Sequence, residues 1–329
     1  MVQKLKDIKP LIIGIGVAGR RHLEAQLNLG NKVGIYSNNP NSTKPFRKQK
    51  NVVVFDNLEE GLDWANLVHI CTPDDVHTEY VAKALQRKKA VFCEKAFTTN
   101  LKDALYLQDL AHKYKTPLII AQNYRITPTF AETKKRILEG NLGKITRIET
   151  TYLHDATEYQ QRTPANKNKD FLYIGGSHAI DLACWISNES VISVKAKTTS
   201  NSAFPNSYEI VLKFTSGLLG FIKLDASSPG KYNGTDLIVE GEEGKLVSHN
   251  KIDKLLFCKK GLLNPQSIEL PNNKTLTTTL EVKIMNDYLL DITASHWPLP
   301  GVDEAVNTIR VLDTIQKAAT SGKNEFVSY

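Results

Sequence analysis

Leu11-Ile12-Ile13 runs directly into Gly14-Ile15-Gly16-Val17-Ala18-Gly19, and few folds accept that join. The apolar triplet reads as a buried parallel strand. A helical stretch from about Gly19 to Leu29 follows and stops at Gly30, a natural C-terminal glycine. The six-residue pattern G-x-G-x-x-G is weak on its own. A strand before it and a helix after it supply the context that a dinucleotide-binding turn requires. Gly14 would permit the tight turn, Gly16 would let a pyrophosphate approach the backbone, and Gly19 would let helix and sheet pack closely. The helix start would then offer free N–H groups and a partial positive charge to phosphate.

The alternation continues along the chain. Strands are expected at Lys32–Tyr36, Val52–Phe55, Leu67–Cys71, Ala90–Cys93 and Pro117–Ala121. Asn38 to Ser42 reads as a loop, and Asn57 with Glu60 resembles a capping box that opens a short helix. Helices are expected from Thr72-Pro73-Asp74-Asp75 through about Arg87, and from Leu101 to Tyr114. Strands that alternate with helices of this length imply a parallel sheet with right-handed crossovers.

After about Asn123 the pattern changes. A helix near Pro128–Glu139 ends at Gly140, and strands then outnumber helices, near Ile145–Leu153, Val191–Thr198, Tyr208–Phe214, Leu218–Asp225 and Leu237–Val239. A hairpin is expected around Thr215-Ser216-Gly217, and helices near Gly176–Ile186, Thr279–Thr293 and Asp303–Ala319. The expected fold is therefore α/β. An N-terminal Rossmann, doubly wound parallel sheet fills 1–122. A C-terminal α+β domain with an open, mainly antiparallel sheet fills 123–329, and its last helix is open to packing back on the first domain. A length of 329 residues suits two cores better than one.

Several function classes fall away on composition. Lys and Arg exceed Asp and Glu by 42 to 35, but they are spread without a dense block, so nucleic acid is not the expected partner. A basic surface suits an anionic dinucleotide or substrate through its long-range field. No apolar run is long enough to span a bilayer, and Met1 to Lys6 lacks a secretory leader's apolar stretch, so no membrane association is expected. Cys71, Cys93, Cys184 and Cys258 lie far apart with no metal-type spacing. They read as reduced thiols, which suits a cytoplasmic location, and no metal site is expected.

The end of the second strand bears on the cofactor. An acidic residue there would hold the ribose hydroxyls of NAD. Ser37-Asn38-Asn39 occupies that place, and Thr43, Lys44 and Arg47 follow as possible donors. NADP is therefore favoured over NAD. Thr72-Pro73 and Glu94-Lys95 end two strands at the carboxyl edge of the sheet, where ligands of doubly wound folds bind. Spacing leaves Lys95 open between a surface ion pair and a functional ammonium.

These pieces together resemble the glucose–fructose oxidoreductase and inositol dehydrogenase (Gfo/Idh/MocA) family. The resemblance runs in order through Gly14 to Gly19 with Arg20-Arg21-His22, then Cys71-Thr72-Pro73 with His77, then Cys93-Glu94-Lys95-Ala96. Asn123-Tyr124-Arg125 and Gly175-Gly176-Ser177-His178-Ala179-Ile180-Asp181 complete it. It implies that Lys95 lies beside the nicotinamide and the reacting carbon, and that His178 is its acid/base partner or a hydrogen-bond donor to the substrate. His77 and Glu94 would join the cofactor site. Asn123, Tyr124, Arg125, Tyr173 and Asp181, with His154 and Asp155, would contact a hydroxyl-rich substrate lying between the domains. Asp181 is also open to orienting His178 or to resting in a polar core, and Arg125 to meeting a carboxylate or phosphate.

Two positions depart from the family pattern. Ala96 stands where proline is usual, and alanine does not easily take a cis bond. Ile174 stands where an aspartate often precedes the histidine, which puts simple inositol-type oxidation in doubt. The expected activity is reversible hydride transfer between NADP(H) or NAD(H) and a sugar-like alcohol or ketone. A reductase of a non-sugar carbonyl or imine, and a non-catalytic dinucleotide-binding regulator, are the alternatives. A broad sheet with partial helical cover would bury its open face against a second copy, so a homodimer or homotetramer is expected.

Overall fold

The computed structural model describes residues 7–155, 170–199, 207–226, 234–249, 254–270, 277–290 and 298–329. The chain divides into two compact units. The first comprises Met1–Asn123 and Lys274–Val306, and the second Tyr124–Asn273 and Asn307–Tyr329. The first unit thus takes in a late segment from beyond the boundary expected near residue 122.

In the first unit, β1 (Pro10–Ile13), β2 (Val33–Tyr36), β3 (Val52–Val54), β4 (Leu67–Ile70), β5 (Ala90–Cys93) and β6 (Leu118–Ile120) form one sheet in the order β3-β2-β1-β4-β5-β6. Every pairing in it is parallel. The strand order reverses between β1 and β4, and a dinucleotide binds across the carboxyl edge at such a point. β1, β4 and β5 are buried along their whole length, as a sheet covered on both faces requires.

Helices α1 (Val17–Asn28), α3 (Leu58–Trp64), α4 (His77–Gln86) and α5 (Leu101–Tyr114) supply the crossovers. Asn57 accepts from the Glu59 N–H at 2.8 Å to cap α3, and Asn100 accepts from the Asp103 N–H at 2.9 Å to cap α5. The segment expected as a loop near Asn38 contains a short helix α2 (Pro40–Thr43), because Asn39 caps it through the Asn41 N–H and Pro40 presets its first turn. The late segment closes the unit. Ile120 N–H donates to the Pro300 carbonyl at 3.0 Å beyond β6. A helix at Thr277–Leu290, named α8 below, packs on α1, and its Val282, Met285 and Leu289 are buried.

The second unit is built on a nine-stranded sheet. Its strands are β7 (Ile145–Leu153), β8 (Val191–Thr198), β9 (Ser207–Phe214), β10 (Leu219–Asp225), β11 (Gly234–Gly241), β12 (Gly244–His249), β13 (Lys254–Lys259), β14 (Gln266–Glu269) and β15 (Glu325–Phe326). All neighbours are antiparallel except β7 and β10. β13 to β15 were not expected from the sequence. Their apolar residues alternate over short spans such as Lys254–Lys259, which give little periodic signal.

The alternation is clean in β9. Tyr208, Ile210, Leu212 and Phe214 are buried, whereas Glu209 and Lys213 are exposed. Helices α6 (Pro128–Leu138) and α7 (Ser177–Ser187) cover the buried face. The outer face carries a shallow groove lined by Thr151, Lys195, Glu209, Val211 and Phe221. A last helix, α9, spans Val302–Ser321. Among the described residues, no helix is long and apolar enough to cross a membrane and no side-chain group could hold a metal ion.

Candidate active site

The glycine turn forms a cradle for a dinucleotide. Gly14 sits at φ +91°, and a Cβ on it would lie 2.8 Å from the Cys71 carbonyl oxygen. A Cβ on Gly19 would lie 1.9 Å from the Gly14 oxygen, so helix and turn touch only because that side chain is absent. Gly16 differs from both, with nothing within 4 Å of its missing Cβ. That open space adjoins the start of α1, where Gly16 leaves the first turn without a side-chain cap. The N–H groups there suit phosphate oxygens. Ile15 is buried and Ala18 packs on the core, which anchors the turn, while Val17 is 67% exposed beside it.

The loop after β2 is neutral and closed on itself. Asn38 accepts from the Tyr36 hydroxyl at 2.7 Å and donates to the Tyr80 oxygen at 2.8 Å, and Ser37 Oγ accepts from the Asn39 N–H. Thr43 is buried, with its hydroxyl donating to the Pro40 carbonyl at 3.1 Å. Lys44 is exposed, and Arg47 is paired with Asp56.

At the carboxyl edges of β4 and β5 the chain brings Thr72, Pro73, His77, Glu94 and Lys95 together. The Thr72 hydroxyl is buried with no hydrogen-bond partner among the described residues. His77 is 1% exposed. Its Nε2 faces the Thr72 carbonyl at 2.9 Å, and its Nδ1 faces the Ala96 and Phe97 carbonyls at 3.0 and 3.2 Å. The ring therefore ties two loops together through their backbones. The Lys95–Ala96 peptide is cis, although the sequence led us to expect alanine to resist that form.

Glu94 Oε1 accepts from His22 Nε2 at 3.1 Å, and its Oε2 accepts from the Lys95 N–H at 3.3 Å. Burial pushes the Glu94 carboxyl up, but the hydrogen bond and electrostatic pull of His22, with Lys95 and His77, hold it below the usual range. Burial pushes the Lys95 ammonium below the ordinary lysine range, against the upward pull of Glu94 and Asp74. Both side chains keep partial access to water, which softens these effects.

In the second unit, Asn123-Tyr124-Arg125-Ile126 forms a single 3-10 turn. His178, on the first turn of α7, is 5% exposed. Its ring stacks on Tyr124 with centroids 4.5 Å apart and an interplanar angle of 23°. It also lies parallel to Tyr152, on β7, at 6.1 Å. The Tyr124 oxygen accepts from the Thr235 hydroxyl at 2.8 Å, which fixes the tyrosine in the stack.

Arg125 and Asp181 are placed against each other. The guanidinium Nε and Nη2 meet the two carboxylate oxygens at 2.8 Å each, with side chains 4% and 1% exposed. That fork neutralises both charges. Tyr173 is buried in the π-helical turn Leu172–Gly176, where burial and the charges of Asp313 and Asp170 push its phenol well up. His154 N–H extends the sheet by bonding to the Asp225 carbonyl, and Asp155 ends that described segment.

His22, Gln26, His69 and Asn286 are buried polar groups for which the sequence alone suggests no role. A signal was present. His22 and Gln26 stand four apart on the same helix face as Leu23, and His69 interrupts an apolar strand. Tyr152 was read only as part of a strand.

Comparison with known proteins decides the lineage. The model for an oxidoreductase family with an NAD-binding Rossmann fold matches residues 8–122, and the Gfo/Idh/MocA C-terminal domain model matches 130–247. The chain belongs to the Gfo/Idh/MocA oxidoreductase family. Glucose-6-phosphate 3-dehydrogenase of Bacillus subtilis is 26% identical over 222 residues, which cover 64% of this chain and 63% of that protein, or under two thirds of its length. Myo-inositol 2-dehydrogenase of Thermotoga maritima is 26% identical over 261 residues, 73% of this chain and 74% of the relative. The structure of levoglucosan dehydrogenase with NADH aligns at a TM-score of 0.82 and 19% identity, covering 98% of this chain and 99% of that one. The fold that this Gfo/Idh/MocA member shares with it is a parallel Rossmann sheet followed by a mixed, mostly antiparallel one.

Proposed function

We propose that this protein is a nicotinamide-dependent oxidoreductase acting on the CH–OH group of a sugar or sugar derivative, with Lys95 and His178 handling the substrate oxygen and its proton. The observation that carries this reading is Lys95 itself, at the carboxyl end of β5 in the same sheet as the glycine cradle, its ammonium set against Glu94 and Asp74. Family membership and relatives named for sugar and inositol oxidation support the substrate class.

The cofactor, when bound, accepts or returns the hydride. Lys95 Nζ would donate to the substrate oxygen and stabilise the alkoxide as it forms. In the oxidative direction the carbinol carbon gives up its hydrogen with the bonding pair, and the hydroxyl proton passes to the His178 ring. Tyr124 and Tyr152, stacked on that ring, hold its plane. The Arg125–Asp181 pair braces the segment that carries Tyr124 against α7.

The direct test is cofactor reduction with a panel of polyols, aldoses and sugar phosphates. Turnover of at least one polyhydroxy substrate is expected, and it should slow in His178→Asn with a flattened pH dependence near neutrality. Cofactor binding without turnover of any member of the panel would remove this reading.

For the choice of dinucleotide we propose NADP. Support comes from the uncharged Ser37-Asn38-Asn39 loop, which places no carboxylate against a 2′-phosphate, and from Lys44 and Arg47 just beyond it. NADPH is expected to bind more tightly than NADH, and Ser37→Asp to reverse the order. Calorimetric titration of both forms checks this, and equal affinities in the parent protein would refute it.

A further inference from the structure

Behind Glu94 lies a chain of polar side chains that the proposed chemistry leaves unused. It begins on α8 and crosses α1 and β4 before reaching the end of β5. Asn286 Nδ2 donates to Gln26 Oε1 at 2.9 Å, and Asn31 Nδ2 donates to the same oxygen at 2.7 Å. Gln26 Nε2 returns a bond to Asn286 Oδ1 at 3.1 Å and reaches His69 Nε2 at 2.9 Å. His69 Nδ1 and His22 Nδ1 are 2.9 Å apart, and His22 Nε2 is 3.1 Å from Glu94 Oε1. His22, His69 and Gln26 are fully buried and Asn286 is 5% exposed.

With the Gln26 amide nitrogen as donor at one end and the Glu94 carboxylate as acceptor at the other, the bonds run in one direction. Gln26 Oε1 accepts twice, so its nitrogen is the group facing His69. His69 Nε2 must then accept, which leaves the ring's proton on Nδ1. That proton can go only to His22 Nδ1, so His22 carries its own proton on Nε2 and donates it to Glu94. Burial, with the neighbouring His22, lowers the His69 pKa well below its usual value, in keeping with a neutral ring.

A second carboxyl sharpens the argument. Glu281, on α8, is 2% exposed, and its Oε1 has no hydrogen-bond partner among the described residues. Burial and the charge of Glu94 push it well above the usual carboxylate range. Two carboxyls in one buried region do not both ionise readily, and the one supplied with a donor keeps the charge. Glu94 has that donor.

We propose that Asn286, Gln26, His69 and His22 form a directional hydrogen-bond relay that keeps Glu94 ionised, and through it holds Lys95 charged and in place. These are positioning residues. The role rests on the reading of Lys95 given above, whereas the direction of the relay does not. The groups facing Glu94 are His22 from α1, His77 from α4, Glu281 from α8, and Cys71, Cys93 and Lys95 along the strand ends. Asp74 faces Lys95. Among the described residues, His22 reaches the Glu94 side chain through its own ring nitrogen, at 3.1 Å.

The test has two parts. Nitrogen-15 NMR of histidine-labelled, full-length protein without ligand reads each tautomer directly. His69 is expected to be protonated on Nδ1 alone and His22 on Nε2 alone, and Gln26→Leu should leave His69 a tautomer mixture. The opposite tautomers, or no change in Gln26→Leu, would overturn the relay whatever the activity. The second part is the pH profile of turnover. In His22→Phe the acid limb should move up by about one pH unit or more, because Glu94 then protonates sooner. His22→Gln, which keeps an N–H donor, should restore part of the shift. A profile unchanged in His22→Phe, in a protein where Lys95→Met is slow, would overturn the role of the relay. Undiminished turnover in Lys95→Met would instead count against the parent reading.

Discussion

Lys95→Met is expected to lower turnover by on the order of 10²–10³-fold while leaving dinucleotide affinity nearly unchanged. The methionine retains most of the side chain's length and apolar packing, so the change removes a charge more than a volume. What is lost is the cation that would meet developing negative charge on the substrate oxygen. That interaction is strongest in the transition state, so kcat should fall rather than KM rise. The glycine cradle is built from β1, β4 and the start of α1 and does not use this side chain. His178→Asn should also be slow, and the double variant little worse than the poorer single one, since groups that act on one proton transfer are not additive. Steady-state kinetics paired with a dinucleotide titration measure all three. Near-normal turnover in Lys95→Met with intact binding would place the chemistry elsewhere.

The second large effect concerns stability. Asp181→Ala should destabilise the protein by about 3–5 kcal/mol, because it leaves the Arg125 guanidinium buried without the carboxylate that matches it. Removing both partners should be much milder. The attraction within a buried pair is offset by the cost of taking both ions out of water, so Arg125→Met with Asp181→Leu should recover most of the loss. Urea unfolding of the single and double variants gives the comparison. A loss under about 1 kcal/mol in Asp181→Ala would mean that water reaches the guanidinium and the pair is not buried in solution.

The contrast between these two sites shows what could be read from the chain alone. The first sheet was legible because a strand, three glycines and a helix start occur in one short stretch, and each glycine has its own steric reason. The second sheet was legible where alternation ran over eight residues, as in Ser207–Phe214, and was missed in Lys254–Lys259 and Gln266–Glu269, where it ran over six or fewer. Site residues were legible as types but not as partners. Arg125 and Asp181 were both candidates for a polar substrate, but the structure pairs them with each other. They stand 56 positions apart, and nothing in the intervening sequence announces the pairing. His77 likewise looked like part of a ligand site, and the structure turns both its ring nitrogens to backbone carbonyls. Partnership between distant side chains depends on register and helix rotation, which periodicity does not encode.

The late segment that packs on α1 has a consequence for how the chain is made. The first unit runs from Met1 to Asn123 and is completed only by Lys274–Val306. At about 5–20 residues per second, a ribosome needs on the order of ten to thirty seconds to cover the intervening stretch. Through that interval Gln26 waits for Asn286, and the side of α1 destined for the late helix faces water. The nascent nucleotide-binding half is thus an unfinished surface while the other half is being synthesised. Cutting the gene after the sixth strand would yield a polypeptide with that surface permanently bare.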